Sequence, residues 1–219
     1  MIKCLMIFSL FGLARAERPR NFRFPWLPKI QLANPRHLRL NLRSMESAVE
    51  YLIVSASLRS NSRSRVMAHY LADCYRTKGV SSRVIDLREC PLPFCDGEDA
   101  YNHPAVLSLS KTISEARVII LATPIYNFDA SAAVKNLIEL TGESWDDKIV
   151  GFLCAAGGSL SYMSVMGLAN SLMLDFRCLI IPRFVFATGG DFEDLQLSSA
   201  DLRERIQRLA AASIKIRSV

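Results

Sequence analysis

Three short segments concentrate the side chains able to do chemistry. Ser57-Leu58-Arg59-Ser60-Asn61-Ser62-Arg63-Ser64 places five hydroxyl or amide side chains and two guanidinium groups in eight residues, with no acid among them. Cations and neutral donors without a counter-charge suit a phosphate monoester. A strand before this segment and a helix after it would add free N–H groups and a positive dipole end. A capped, Ser-rich turn is the plainer account, and it needs only one or two of these residues. Thr123-Pro124-Ile125-Tyr126-Asn127-Phe128-Asp129-Ala130 carries two aromatics beside a stiff proline. An aromatic ring system could lie on it, held by backbone groups and Asn127; an ordinary connecting loop is the other reading. Ala155-Ala156-Gly157-Gly158-Ser159 sets two glycines among small neighbours. That lets a ligand approach the backbone closely, although a simple turn has the same composition.

Other chemistries lack their residues. The sequence has no GxGxxG and no GxxxxGK[ST], so the standard dinucleotide and NTPase fingerprints are missing. No acidic cluster follows the first or third apolar run, as a phospho-acceptor domain would need. Three histidines and six scattered cysteines without a CxxC pair do not make a zinc cage, a redox dithiol or a disulfide framework. Cys74, Cys154 and Cys178 sit in apolar runs and read as core residues in a reducing compartment.

The elements that must position the three segments follow from periodicity. Tyr51–Ala56, Ser82–Leu87, Val118–Ala122, Ile149–Ala155 and Cys178–Ile181 are apolar, β-branched runs of strand length. Helical spacing predicts helices over Ser64–Lys78, Pro104–Ala116, Ser131–Thr141, Ser159–Leu174 and Ser198–Ile216, the last capped by Ser198 or Ser199. Arg88–Asn102 is broken by Pro91, Pro93 and Gly97 and reads as loop. Five strands, each followed by a helix, predict a doubly wound α/β sandwich with a five-stranded parallel sheet and helices on both faces. Five strands suit the flavodoxin-like order 2-1-3-4-5. Ligands in such sheets bind at the carboxyl ends of the strands where the order reverses, which is where the three segments fall.

In that order the motifs resemble the NADPH-dependent FMN reductase family. They are Ser57-x-Arg59-x-x-Ser62 after strand one, Pro124-x-Tyr126-Asn127 after strand three and Gly157-Gly158 after strand four. Val134-Lys135-Asn136-Leu137-Ile138 is similar to that family's Leu-Lys-Asn helix opening, and the resemblance covers roughly residues 51–189. It implies a flavodoxin-like fold, bound FMN, and NADPH or NADH as the co-substrate. It also implies a flavin, quinone, azo dye or metal oxyanion as the small-molecule electron acceptor. Ser57, Arg59, Ser62 and Ser64 would hold the FMN phosphate. Pro124, Ile125, Tyr126 and Asn127 would line the isoalloxazine, and Ala156, Gly157 and Gly158 would approach its pyrimidine end. The implied cycle is ping-pong: NAD(P)H delivers a hydride to the flavin and leaves before the acceptor enters, so no catalytic acid–base pair is required. A homodimer or homotetramer built around the helix after Asn127 is implied too, although Leu137, Ile138 and Leu140 there fit a core equally well. Ser64 stands where many members have Asn, Ile125 where they often have Glu, and the segment 130–133 lacks their usual Pro. A flavodoxin-type electron carrier and an interaction protein that has lost its cofactor are the competing readings. Flavodoxins tend to be strongly acidic, with a glycine-rich phosphate loop.

Charge separates two regions of the 219-residue chain. Residues 1–44 hold nine Lys or Arg and one acid, while the other 175 residues hold 18 and 20. The formal net charge of +6 is therefore an N-terminal property, and residues 45–219 carry no footprint for DNA or RNA. No apolar run reaches the ~18–20 residues that span a bilayer. Residues 1–44 contain four prolines and no apolar periodicity, and read as a disordered extension to a flavodoxin-like domain at 45–219. The extension is signal-like over residues 1–16 and Arg-rich like a transit peptide, and Met45 offers an alternative start. The expected location is cytoplasmic, or exported or organellar if the extension is a targeting segment.

Overall fold

A computed structural model describes residues 50–216. The expectations for residues 1–44 lie outside that range. Within it the chain forms β1 (Tyr51–Ser55), α1 (Arg63–Thr77), β2 (Ser82–Asp86) and α2 (Pro104–Glu115). Next come β3 (Val118–Tyr126), β4 (Asp129–Ala130), α3 (Ala132–Thr141), β5 (Ile149–Ala155) and α4 (Met166–Phe176). The chain finishes with β6 (Leu179–Ile180), β7 (Val185–Ala187), β8 (Phe192–Glu193), β9 (Gln196–Leu197) and α5 (Ala200–Lys215). The main sheet runs β2-β1-β3-β5-β6 with every pairing on that path parallel. This is the expected 2-1-3-4-5 order, with its reversal between β1 and β3.

Both faces are covered because alternate strand residues bury on opposite sides. Leu52, Val54, Ile119, Leu121, Val150 and Phe152 pack with Ile113 of α2, Leu137 of α3 and Leu172 of α4. Tyr51, Ile53, Val118, Ile120, Ile149 and Leu153 pack with Met67 and Leu71 of α1 and Ile206 and Leu209 of α5. Leu137, Ile138 and Leu140 are core residues, so they do not form an exposed oligomer surface.

Gly151 in β5 is required by packing. A Cβ there would meet Ile120 Cδ1 at 2.7 Å, Ile181 Cδ1 at 3.2 Å and Leu209 Cδ1 at 3.3 Å. All three neighbours are buried, so relief needs coordinated side-chain shifts. Gly151→Ala is expected to destabilise the domain by about 1–3 kcal/mol. A lowered urea midpoint at unchanged slope would show it; a wild-type midpoint would contradict it.

Three element boundaries differ from the sequence expectation. β3 continues through Thr123-Pro124-Ile125-Tyr126, which read as loop, because β5 pairs with it as far as Pro124 and β4 then pairs with Ile125 and Tyr126. Pro124 is tolerated in the strand. Ala122 accepts from Ala56 N on the β1 side, so the nitrogen of Pro124, two residues on, faces the same side beyond the end of β1. The fifth strand is split at Pro182 into β6 and β7, both parallel to β5, with five steps from Ile180 to Val185 against three from Val150 to Leu153. The helix expected from Ser159 begins at Met166. Residues 159–165 turn instead, and Tyr162 packs its ring against Phe184 at 5.0 Å and Phe186 at 5.4 Å, a tertiary contact that overrides local helical spacing.

Candidate active site

The phosphate-type segment spans the connection from β1 to α1. Ser62 is the N-cap of α1, and its Oγ accepts from Arg65 N at 3.2 Å. Ser62 Oγ also lies 3.0 Å from Ser64 Oγ, and Ser57 Oγ accepts from Arg59 N at 3.4 Å. All three serines are buried, whereas Leu58–Asn61 and Arg63 are exposed. The capped-turn account therefore holds for Ser62 without exhausting the segment. One hydroxyl of the Ser62–Ser64 pair donates to the other, which leaves one proton for a ligand. The Arg59 guanidinium has no acceptor among the described residues.

The aromatic segment is a hairpin. β3 and β4 pair antiparallel, Ile125 with Ala130 and Tyr126 with Asp129. Asn127 (φ 50°) and Phe128 (φ 63°) form the turn in left-handed conformations, as a two-residue hairpin requires. Thr123 Oγ1 accepts from Ser131 N at 3.2 Å and ties the hairpin base to the start of α3. Ser131 Oγ donates to Ala56 O at 3.4 Å, so the ends of β1 and β3 are linked by side chains.

A cavity of about 480 Å³ joins the three segments at the carboxyl edge of the sheet. Ser57, Arg59, Ser62 and Ser64 line one side, Pro124, Ile125 and Tyr126 another, and Ala156 and Gly157 a third. Nine of the eleven residues expected from the sequence thus share one concave site of ligand size. Asn127 and Gly158 do not line it: Asn127 occupies the hairpin turn, and Gly158 lies beyond Gly157 on the exposed loop. Four lining residues were not anticipated as site residues: Asn61, Arg63, Ala155 and Leu195. Asn61 and Arg63 belong to the segment already singled out for its donors. Leu195 comes from the turn of the β8–β9 hairpin, where it and Asp194 take φ values of 61° and 45°.

The charge of the site is one-sided. Arg59 and Arg63 line it, and no acid does. Arg63 also lies over the Phe192 ring, 5.8 Å from its centre, so its planar group is held at the rim. Gly157 is informative for a different reason. Its φ is not in the left-handed region, and a Cβ added to it would meet nothing within 4 Å. The protein's own packing therefore does not demand glycine there, at a position that lines the cavity. Cys154, one strand position before the lining Ala155, has its thiol pushed up to about 12 by burial and is no nucleophile at neutral pH. Among the described residues no group of three or more His, Cys, Asp or Glu side chains could hold a metal ion.

Asn136 of the Lys-Asn motif serves the scaffold. Its Nδ2 donates to Pro93 O and its Oδ1 accepts from Cys95 N, both at 2.9 Å, which fixes the long β2–α2 connection against α3.

Fold and site together define a flavodoxin-like α/β protein with a donor-rich, cationic loop and an apolar wall meeting at the topological switch point. The chain belongs to the NADPH-dependent FMN reductase family, whose model matches residues 49–193. That membership sets the reaction class as flavin-dependent oxidoreduction with FMN as cofactor and a nicotinamide nucleotide as co-substrate. An NAD(P)H-dependent FAD/FMN reductase of Geobacillus thermodenitrificans is 27% identical over 60% of this chain and 72% of its own length. An FMN reductase (NADPH) of Pseudomonas aeruginosa is 27% identical over 76% of this chain and 91% of its own. The structure of FerB, an NAD(P)H:(acceptor) oxidoreductase from Paracoccus denitrificans, superposes with a TM-score of 0.62 at 18% identity, over 75% of this chain and 94% of that one. An archaeal flavodoxin superposes at 0.53 and 14% identity, covering 75% and 96%. These two structural likenesses establish the fold alone.

Proposed function

We propose that this protein oxidises NAD(P)H and passes the electrons, by way of bound FMN, to a free flavin, a quinone or an azo compound in a ping-pong cycle. The observation that carries the reading is the cavity that joins donor-rich, cationic residues to apolar ones, as a phosphorylated aromatic cofactor needs. Curated relatives named as an NADPH azoreductase and an FMN-dependent NADH:quinone oxidoreductase support this acceptor range. Bound FMN supplies the hydride chemistry. The protein's own residues bind and orient. Ser57, Arg59, Ser62 and Ser64 hold the phosphate end, with Asn61 and Arg63 beside them. Pro124, Ile125 and Tyr126 form the wall along the ring, and Ala156 and Gly157 admit its far edge. Asn127 shapes the hairpin that carries this wall. Ile125 brings no charge to the ring, so acceptor choice rests on shape and apolar contact.

The competing carrier reading draws on the flavodoxin likeness, and steady-state kinetics separate the two. Purified protein is expected to oxidise NAD(P)H when a quinone or free flavin is supplied, with parallel double-reciprocal lines. Intersecting lines would contradict the ping-pong order. No NAD(P)H oxidation with any of these acceptors would contradict the enzyme reading itself.

We also propose that residues 45–219 form the functional unit, a cytoplasmic homodimer or homotetramer, with residues 1–44 a dispensable extension. Exposed Leu160, Met163, Met166 and Leu174, on α4 and the turns before it, support self-association. Five described cysteines are free thiols, in keeping with a reducing compartment. Among the described residues no helix is long and apolar enough to cross a membrane.

A further inference from the structure

We propose that Arg65 is a positioning residue that turns the loop carbonyls away from the anion site and so presents the loop amides to the ligand. The proposal rests on the FMN reading of the cavity. Arg65 is in the first turn of α1, and its side chain is only 14% exposed. Its Nη1 donates to Arg59 O and Ser60 O and its Nη2 to Ser57 O, each at 2.8 Å. Its Nε donates to Asp86 Oδ2, and Nη2 also reaches Asp86 Oδ1 at 3.3 Å. All five guanidinium N–H groups are thereby used. Asp86 ends β2, opposite Ser55, the last residue of β1, so the clamp is bolted to the sheet edge.

Peptide planarity turns this anchoring into a site. In a trans peptide the N–H of the next residue points opposite to the carbonyl. With the carbonyls of Ser57, Arg59 and Ser60 drawn to Arg65, the amides of Leu58, Ser60 and Asn61 point away from it, and of these three residues Asn61 lines the cavity. None of these three amides has an acceptor among the described residues. Successive free amides in a turn form an anion-binding concavity. Arg65 itself does not line the cavity. Its charge is offset by Asp86, so it acts through geometry.

Two variants separate geometry from charge. Arg65→Lys keeps the cation but cannot reach three carbonyls and a carboxylate at once. It is expected to weaken FMN by roughly tenfold or more, the loss that follows when one or two bonds to a charged group fail. Riboflavin, which lacks the phosphate, should change little. Asp86→Asn leaves the Arg65 cation uncompensated while loosening its anchor. A charge role predicts tighter FMN binding in this variant; the clamp predicts weaker binding, again with riboflavin spared. The full-length wild type and both variants are titrated with FMN and with riboflavin. Selective loss of FMN in both variants supports the clamp, and if Arg65→Lys does not fold, Asp86→Asn decides by the sign of its change. Wild-type FMN affinity in Arg65→Lys, tighter FMN in Asp86→Asn, or equal losses of the two flavins would overturn it. A wild type that binds neither flavin defeats the FMN reading and the clamp with it. A wild type that binds FMN beside variants that match it defeats the clamp alone.

Discussion

Arg59→Ala is expected to weaken FMN binding by about ten- to a hundredfold and to leave riboflavin binding nearly unchanged. The side chain is exposed, lines the cavity and has no acceptor in the described protein, so its removal costs the fold little. A charge-assisted hydrogen bond to a dianionic phosphate contributes about 1.5–3 kcal/mol, and about 1.4 kcal/mol is one decade of affinity. Ser62 is a poorer probe, because its Oγ also caps α1 and its loss would remove roughly 0.5–2 kcal/mol of stability. Titrating both flavins against wild type and Arg59→Ala gives four constants. Equal losses for the two flavins would contradict the phosphate assignment, since a change acting through stability alone affects both alike.

Gly157→Val is expected to produce the opposite pattern. Gly157 lines the cavity, and nothing of the protein stands within 4 Å of an added Cβ to hold a side chain away from it. FMN and riboflavin should both weaken by about tenfold or more, because overfilling a close contact costs about 1–3 kcal/mol. Stability should stay within about 0.5 kcal/mol, as for a surface substitution. Thermal unfolding of the apo variant checks the second half of this expectation. Retained flavin affinity in Gly157→Val would show that no ligand approaches the backbone there.

The two patterns reflect how the sequence specifies the site. Strand ends are readable because apolar β-branched runs such as Val118–Ala122 stop where polar or small residues begin, and parallel order then brings those ends together. Ser57, Arg59 and Gly157 were accessible this way, since each sits just past a strand. Leu195 was not. It reaches the cavity from a hairpin of two-residue strands whose left-handed turn positions hold Asp194 and Leu195, without the glycine that usually marks such a turn. The re-entry of the edge strand at Val185–Ala187 was hidden too, because three residues after Pro182 carry no periodic signal. Arg65 looks like any helix-face cation in sequence. Its partner Asp86 is 21 residues away, and only the β1–β2 register brings them together.

Every role proposed for these residues requires that the cavity at the β1–β3 switch hold FMN. Protein purified under native conditions and then supplied with excess FMN should, after desalting, retain about one FMN per chain and show the absorption of a bound flavin. A colourless protein, with no flavin retained and no binding on titration, would contradict it.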